Sequence, residues 1–459
     1  MIAQEMRRGN RSPGPQKARG SYRAYLLRVD CVDIRSSTRT ASLFSDPEWR
    51  EFQREVNMIG AVLILAGCMI GFYAFAGYPL LLLAARRLGD ASPPGTVPPG
   101  SDTWLPKISI SVPIFNEAHQ LEELLASLVA LDYPTDLRQI LIVSDGSTDG
   151  SDEIVEAWAD RGVELLRVEQ RGGKGAAENS ARPHLTGEIV VNTDASIRIR
   201  PGALHPLLRP FADPRVGVVS GRDLSVGQET ADANQGEAGY VGYEMWVRDL
   251  ETASGGIVGA SGSLYATRRH LHEVDIPPEL SRDFASALVA GDHGLAAVSV
   301  KGAVCLVPRT GSLRSEYRRK VRTIARGMTT LWTWRHLLNP LRHPGFAWKL
   351  WSHKICRWLL PVAILLIAAG LALVARQEAL AWIPLAGGLG LVLAGATGWM
   401  VGWAGENGPL PRVLSTPAFF LMSNVAVVHA FFRAMGNGSQ QFWEPTRRTT
   451  DEGFSSRSP

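Results

Sequence analysis

Uncharged apolar runs lie at both ends of the chain, and between them short apolar runs alternate with helix-period segments. Residues 58–85 contain no charge and are followed at once by Arg86 and Arg87. About 20 apolar residues cross a bilayer core, so this run predicts a membrane anchor over 56–85. A signal peptide would need a shorter apolar core, about 7 to 15 residues, and a small-residue cleavage site. Residues 358–375 and 379–403 predict two further spans, separated by Arg376, Gln377 and Glu378. Residues 413–434 are apolar but hold Ser415, Ser423, Asn424 and His429, and read as a span or as an interfacial helix. Residues 331–357 mix Trp, His, Arg and Lys with Leu and Phe, a composition suited to the headgroup level. Basic residues bracket the middle of the chain on both sides, which by the positive-inside tendency places it in the cytoplasm.

Residues 1–55 are polar and Arg-rich and read as a disordered tail or as a mistaken upstream start. The Pro/Gly stretch 91–106 reads as a linker. From 107 to about 330 the pattern changes. ISISVPIF, QILIVSDGS, VELLRVEQ and GEIVVNTD read as strands. Between the first two, Leu121, Leu124, Leu125 and Leu128 share one helical face. SDEIVEAWADRG reads as a helix opened by Ser151 as N-cap and closed by Gly162. Such alternation predicts an α/β domain with a mostly parallel sheet, whose ligands bind beyond the carboxyl ends of the strands.

The chain has 459 residues, 45% hydrophobic and 20% charged, with a net charge of +4. These values argue against a disordered chain or a disulfide scaffold, and the mild charge does not suggest nucleic acid. The four cysteines lie far apart without a CxxC pair, which argues against a zinc ribbon.

Three predicted strand ends carry polar motifs: Asn116-Glu117, the segment from Asp145 to Ser151, and Asp194-Ala195-Ser196. Carboxylates there can accept hydrogen bonds from a nucleoside or hold a divalent cation through oxygen. Arg171-Gly172-Gly173-Lys174-Gly175 precedes a helix signal, and its glycines and lysine suit an anion. Each motif also has a plainer reading, as a turn, a helix cap or a Gly bend.

Taken in order, these motifs resemble glycosyltransferase family 2, the inverting GT-A enzymes that use nucleotide sugars. The closest resemblance is to the membrane-bound processive branch of hyaluronan, chitin, cellulose and poly-N-acetylglucosamine synthases, over residues 107–330. The resemblance implies nucleotide-sugar contacts by Asn116, Glu117, Asp145, Lys174, Asn179 and Asp194. It implies Mg²⁺ or Mn²⁺ at Asp194 and Ser196. Ser196 stands where the family's DxD motif ends in Asp. Asp283 takes the place of the general base, with Arg282 where an acid is usual and Glu279 as the fallback base. Gly262 and Ser263 fall in the acceptor-side Gly/Ser loop. Arg319, Arg322 and Thr323 occupy the QxxRW segment, so Trp is absent. Trp443, in WEPTRR of the tail 435–459, resembles an acceptor-side gating segment. The implied function is transfer of a sugar from a UDP-sugar to a growing polysaccharide through a β-linkage, at the inner membrane. Two alternatives are single-sugar transfer to a lipid or lipid-linked glycan, and a catalytically weak nucleotide-sugar-binding scaffold of an export complex.

Overall fold

The computed structural model describes residues 47–88, 92–96, 104–226, 235–308, 313–404 and 412–436. Helix α1 (Pro47–Phe72) runs through a π turn, Tyr73–Gly77, into α2 (Tyr78–Leu88). The anchor helix therefore begins before residue 56. Residues 47–55, expected in a polar tail, are helical, with Pro47 at a first-turn position that needs no N–H partner.

The middle domain is one eight-stranded sheet, ordered β3-β2-β1-β4-β7-β6-β8-β5. Strands β1 (Ile108–Ile114), β2 (Arg138–Asp145), β3 (Val163–Val168) and β4 (Ile189–Thr193) form its parallel half. β7 (Leu264–Arg268) then runs antiparallel to both β4 and β6 (Val216–Val226). β8 (Ala296–Pro308) is parallel to β6, and the two-residue β5 (Arg198–Ile199) closes the edge. Every residue of β1 is buried, as a strand covered on both faces requires. Helix α3 (Ala118–Val129) packs on this half with Leu121, Leu124, Leu125 and Leu128 fully buried, each stabilising by about 1.5–3 kcal/mol.

Helix α4 (Ser151–Glu156) is shorter than the pattern predicted, because a 3₁₀ turn at Ala159–Arg161 follows it. Gly150, with φ +89°, stands at its N-cap, and Ser151 is its first residue. The Ser151 hydroxyl is engaged elsewhere: it donates to Asp149 Oδ1 (2.5 Å) and accepts from Glu117 N (3.0 Å). Helices α5 (Lys174–Ala181) and α6 (Leu204–Leu208) complete the first half. Helices α7 (Gln235–Ala253), α8 (Arg269–His272), α9 (Arg282–Asp292) and α10 (Leu313–Thr333) belong to the second.

Beyond α10 come α11 (Pro344–Leu350), a π turn Trp351–Ile355, α12 (Cys356–Trp358), α13 (Leu360–Val374), α14 (Trp382–Ala404) and α15 (Arg412–Met435). Three described helices are long and apolar enough to cross a membrane, or four if Pro344–Trp358 and Leu360–Val374, bent by 56°, count as one broken span. α1 and α13 meet at small residues: a Cβ on Gly67 would lie 2.6 Å from Ala363 O.

Apolar contacts tie these helices to the sheet domain in more than one place. Tyr78 and Leu82 of α2 are buried against Val247 and Leu250 of α7. Val321 and Ala325 of α10 are buried against Ala426 and Ala430 of α15.

Three basic residues expected at the headgroup level, Lys349, His353 and Arg357, turn inward instead. Lys349 donates to the carbonyls of Glu251 (3.2 Å), Ser254 (2.8 Å) and Gly256 (2.8 Å), at the C-terminal end of α7. His353 pairs with Glu251 (2.6 Å) and Glu244 (3.0 Å), Arg357 also pairs with Glu244, and the Tyr78 hydroxyl donates to Glu251. The acidic face of α7 draws these groups inward, because buried carboxylates need partners. Trp443 and the rest of 437–459 lie outside the described residues.

Candidate active site

The ends of β1 and β2 are stitched to each other. Asn116 adopts φ +53°, which an Asn tolerates, and its Oδ1 accepts from Thr148 N at 2.9 Å. Ala118 N donates to Asp149 Oδ2 at 3.0 Å. Asp145 accepts from Gly172 N (2.8 Å) and Gly173 N (2.7 Å), so its carboxylate fixes the loop that leads into α5. Gly173 enters α5 at φ +85°, a backbone region open to glycine. The Arg171 guanidinium stacks on the Phe115 ring, 3.8 Å from its centre.

Beside these strand ends lies a cleft of about 340 Å³. Glu117, Lys174, Asp194, Ser196, Gly262, Ser263, Asp283, Arg319 and Arg322 line it, all nine expected from the sequence. Asn116, Asp145 and Asn179 do not line it. Asn179 instead donates to Ile276 O at 3.0 Å and accepts from Arg282, so it holds the loop that precedes α9.

Lys174 Nζ is 2.5 Å from Asp194 Oδ1 and 3.9 Å from Glu178 Oε1. Burial opposes the Lys174 charge, but Asp194 and Glu178 outweigh it and hold its pKa above the ordinary value. Glu178 is buried, and desolvation raises its carboxyl despite Lys174 and Arg282 beside it. Glu117 is pushed up to about 7, mainly by burial. The Gln120 hydrogen bond opposes that shift, and the charges of Asp194 and Asp149 add to it.

Asp283 is the second residue of α9 and accepts from Ser281 Oγ at 2.5 Å. Gly262 faces it closely: a Cβ there would lie 3.0 Å from Asp283 Oδ2. Arg282, which stands where an acid is usual, has its partners away from Asp283. Consecutive helix residues diverge by about 100°, so Arg282 enters the interior toward Glu178 Oε2, with Nε at 3.3 Å. Glu279 does not line the cleft, and its carbonyl accepts from Arg326.

On α10, Arg319 is held by Glu316 through two hydrogen bonds, 2.8 and 2.9 Å. Burial, with Arg326 and Arg319 nearby, lowers the pKa of Arg322. Arg326 donates to the carbonyls of Pro278, Glu279 and Leu280 at 2.6–3.0 Å. Thr330 Oγ1 accepts from Ser281 N at 2.9 Å. The helix that carries Arg322 thus also positions the loop before Asp283.

Sequence reasoning missed Glu178, Asp223, Arg248 and Arg326. Glu178 carried a signal, four residues after Lys174 on one helix. The other three reach the cleft only through tertiary packing.

Residues 109–272 match the family model described as "Glycosyl transferase family 2". Over those residues the chain is similar to glycosyltransferase family 2. Its sheet is of the GT-A type, with the parallel half β3-β2-β1-β4 followed by antiparallel β7. A mannosyltransferase from Pyrobaculum calidifontis, solved with GDP-Man and Mn²⁺, superposes with a TM-score of 0.60 at 24% identity, over 83% of this chain and 99% of that one. Among curated relatives, a beta-monoglucosyldiacylglycerol synthase from Nostoc sp. is 29% identical over 170 residues, 36% of each chain. A pre-mycofactocin glycosyltransferase from Mycobacterium tuberculosis is 31% identical over 144 residues, 31% of this chain and 28% of that one. The chain therefore spans about a third of the length of these curated relatives.

Proposed function

We propose that this protein is a membrane-bound inverting glycosyltransferase that takes a hexose from a UDP-sugar and attaches it to a lipid or lipid-linked acceptor. The observation that carries this reading is the convergence of Lys174, Asp194, Arg322 and Asp283 on one cleft. Lys174 and Arg322 are the cations placed for a nucleoside diphosphate, Arg322 through its two-pronged guanidinium. Asp194 and Ser196 offer a carboxylate and a hydroxyl on the same wall, hard oxygen donors that suit Mg²⁺ or Mn²⁺. Such an ion, when bound, would neutralise charge on the departing diphosphate.

Asp283 is the general base. It faces the cleft beside the Gly262–Ser263 loop, where an acceptor hydroxyl can lie against the carboxylate. The hydroxyl gives its proton to Asp283 as its oxygen attacks the anomeric carbon. The sugar–phosphate bond breaks on the opposite face, and Lys174 and Arg322 hold the leaving diphosphate.

A lipid-type acceptor is preferred to the growing polysaccharide that the synthase resemblance implies. Thr323 stands where a synthase has Trp, and it lines the cleft. The name of the Nostoc relative also describes glycosylation of a lipid. Helix α10, which brings Arg322 to the cleft, packs through Val321 and Ala325 against α15, a helix apolar enough for a membrane, which supports an acceptor arriving from that side.

The test is a panel of UDP-sugars and GDP-mannose given to full-length protein in lipid vesicles, with nucleotide release measured and the product sized. One added sugar on a lipid supports the reading. Release of no nucleotide would leave the scaffold alternative, and a long polymer would restore the synthase reading.

A further inference from the structure

The acceptor-side wall of the cleft holds a cation that the donor reading leaves unused. Arg248, on α7, lines the cleft with Asp223, Ser261 and Gly262. Its Nη1 is 3.4 Å from Ser220 Oγ, and its Nε is buried without a hydrogen-bond partner among the described residues. The neighbouring carboxylate Asp249 is taken by Arg222 (3.8 Å) and Lys301 (3.4 Å). Asp223, on the same wall, accepts from Ser261 Oγ at 2.8 Å through each of its oxygens.

A second cation, from the helices beyond the sheet domain, lies behind the segment that leads into this wall. Lys354, in the π turn Trp351–Ile355, has its ammonium 4.9 Å from the centre of the Phe284 ring. It stands 3.4 Å from the position a Cβ would take on Gly259. Its charge acts on Arg248, so the two cations are neighbours. Arg248 is half-buried on the cleft wall and its guanidinium makes one long hydrogen bond to Ser220 and pairs with no carboxylate among the described residues, which leaves its charge available to a ligand in the cleft. The donor diphosphate already has Lys174 and Arg322.

We propose that Arg248, with Lys354 behind it, is an anion subsite for the acceptor, and that the acceptor carries a phosphate near the hydroxyl that attacks. This rests on the transferase reading above. A guanidinium fork grips a phosphate through two parallel hydrogen bonds, which also fixes the orientation of the molecule that bears it. The phosphate belongs either to a lipid headgroup or to a soluble phosphomonoester. The short chain path from Lys354 to α13 favours the lipid.

The experiment measures binding to the full-length protein in phosphatidylcholine nanodiscs. The probes are dihexanoyl phosphatidic acid, dihexanoylglycerol, glycerol 3-phosphate and UDP. Phosphatidic acid binds about tenfold or more tightly than dihexanoylglycerol, and Arg248→Gln removes that difference while UDP affinity stays within about twofold. Arg322→Gln does the reverse. Arg248→Lys keeps part of the preference and shows that a loss in Arg248→Gln is not a folding failure.

Glycerol 3-phosphate binding as tightly as phosphatidic acid supports the subsite and assigns it to a soluble phosphomonoester. Two results overturn the proposal: unchanged phosphatidic acid binding in Arg248→Gln, or a loss of UDP affinity equal to that of Arg322→Gln, which would place Arg248 on the donor side. Absence of sugar transfer from any donor sinks the transferase reading and leaves this binding comparison standing.

Discussion

Lys174 Nζ lies 2.5 Å from Asp194 Oδ1, so the first residue of α5 is latched by an ion pair to the residue that follows β4. In the proposed function that ammonium meets the diphosphate oxygens of the nucleotide. Lys174→Met would remove a diphosphate contact and leave Asp194 and Glu178 without it. The expected result is a loss of UDP affinity of about 10- to 100-fold, read by titration calorimetry. Affinity within twofold of the unaltered protein would remove Lys174 from the diphosphate site.

Chelation tests the oxygen donors. With Asp194 and Ser196 on one wall, EDTA is expected to stop nucleotide release, and Mg²⁺ or Mn²⁺ to restore it. Full turnover in chelator would shift the whole burden of diphosphate charge to Lys174 and Arg322.

Gly262 faces the proposed base across the cleft wall. Gly262→Ala puts a methyl 3.0 Å from Asp283 Oδ2, and either the carboxylate or the loop must move. A shift on the order of 1 Å in a catalytic group costs up to about 10²-fold, so kcat should fall by about 10- to 100-fold with UDP affinity unchanged. An unchanged kcat would show that Asp283 has room to spare and is not held by this loop.

Much of this site is legible in the sequence because strand ends announce themselves. A β-branched run followed by Asn116-Glu117, Asp145 or Asp194 marks both the strand and the edge to which it delivers its polar group. Asp283 is legible only through resemblance, since an acid in the first turn of a helix is also an ordinary cap. Arg282 shows the limit. Its neighbour in sequence is Asp283, but its partner in space is Glu178, over a hundred residues away, and no local pattern predicts that. The same holds for Lys349 and His353. Their composition reads as a basic face, yet α7 supplies the buried carbonyls and carboxylates that turn them inward.

Glu117 gives a pH dependence with a defined sign. Its pKa rises from 4.5 to about 7 on folding, so its contribution to stability is complete below pH 4.5 and is lost as pH rises through about 7. The ionised form also adds negative charge beside Asp194, so UDP affinity should fall over the same range. Phosphate ionisation of the nucleotide acts equally on any variant. The check is the difference in UDP affinity between the unaltered protein and Glu117→Gln, from pH 5 to 8. A difference that does not change with pH would contradict the raised pKa.

Glu251 joins Tyr78 of the anchor helix to His353 beyond the sheet domain. Glu251→Leu removes one partner of a buried charged cluster, which typically costs about 3–5 kcal/mol. The expected result is a marked drop in the unfolding midpoint of the detergent-solubilised protein, with UDP affinity of the surviving folded fraction retained. An unchanged midpoint would show that the cluster does not secure the anchor helix.

The most direct test of the transferase account is Asp283→Asn, with nucleotide release and UDP affinity measured on one preparation of full-length protein in lipid vesicles. Loss of a general base typically lowers turnover by about 10²- to 10⁴-fold. The account predicts a fall of that size with UDP binding essentially unchanged. Turnover above about a tenth of the unaltered protein's would contradict Asp283 as the base, since even the weakest typical loss exceeds that.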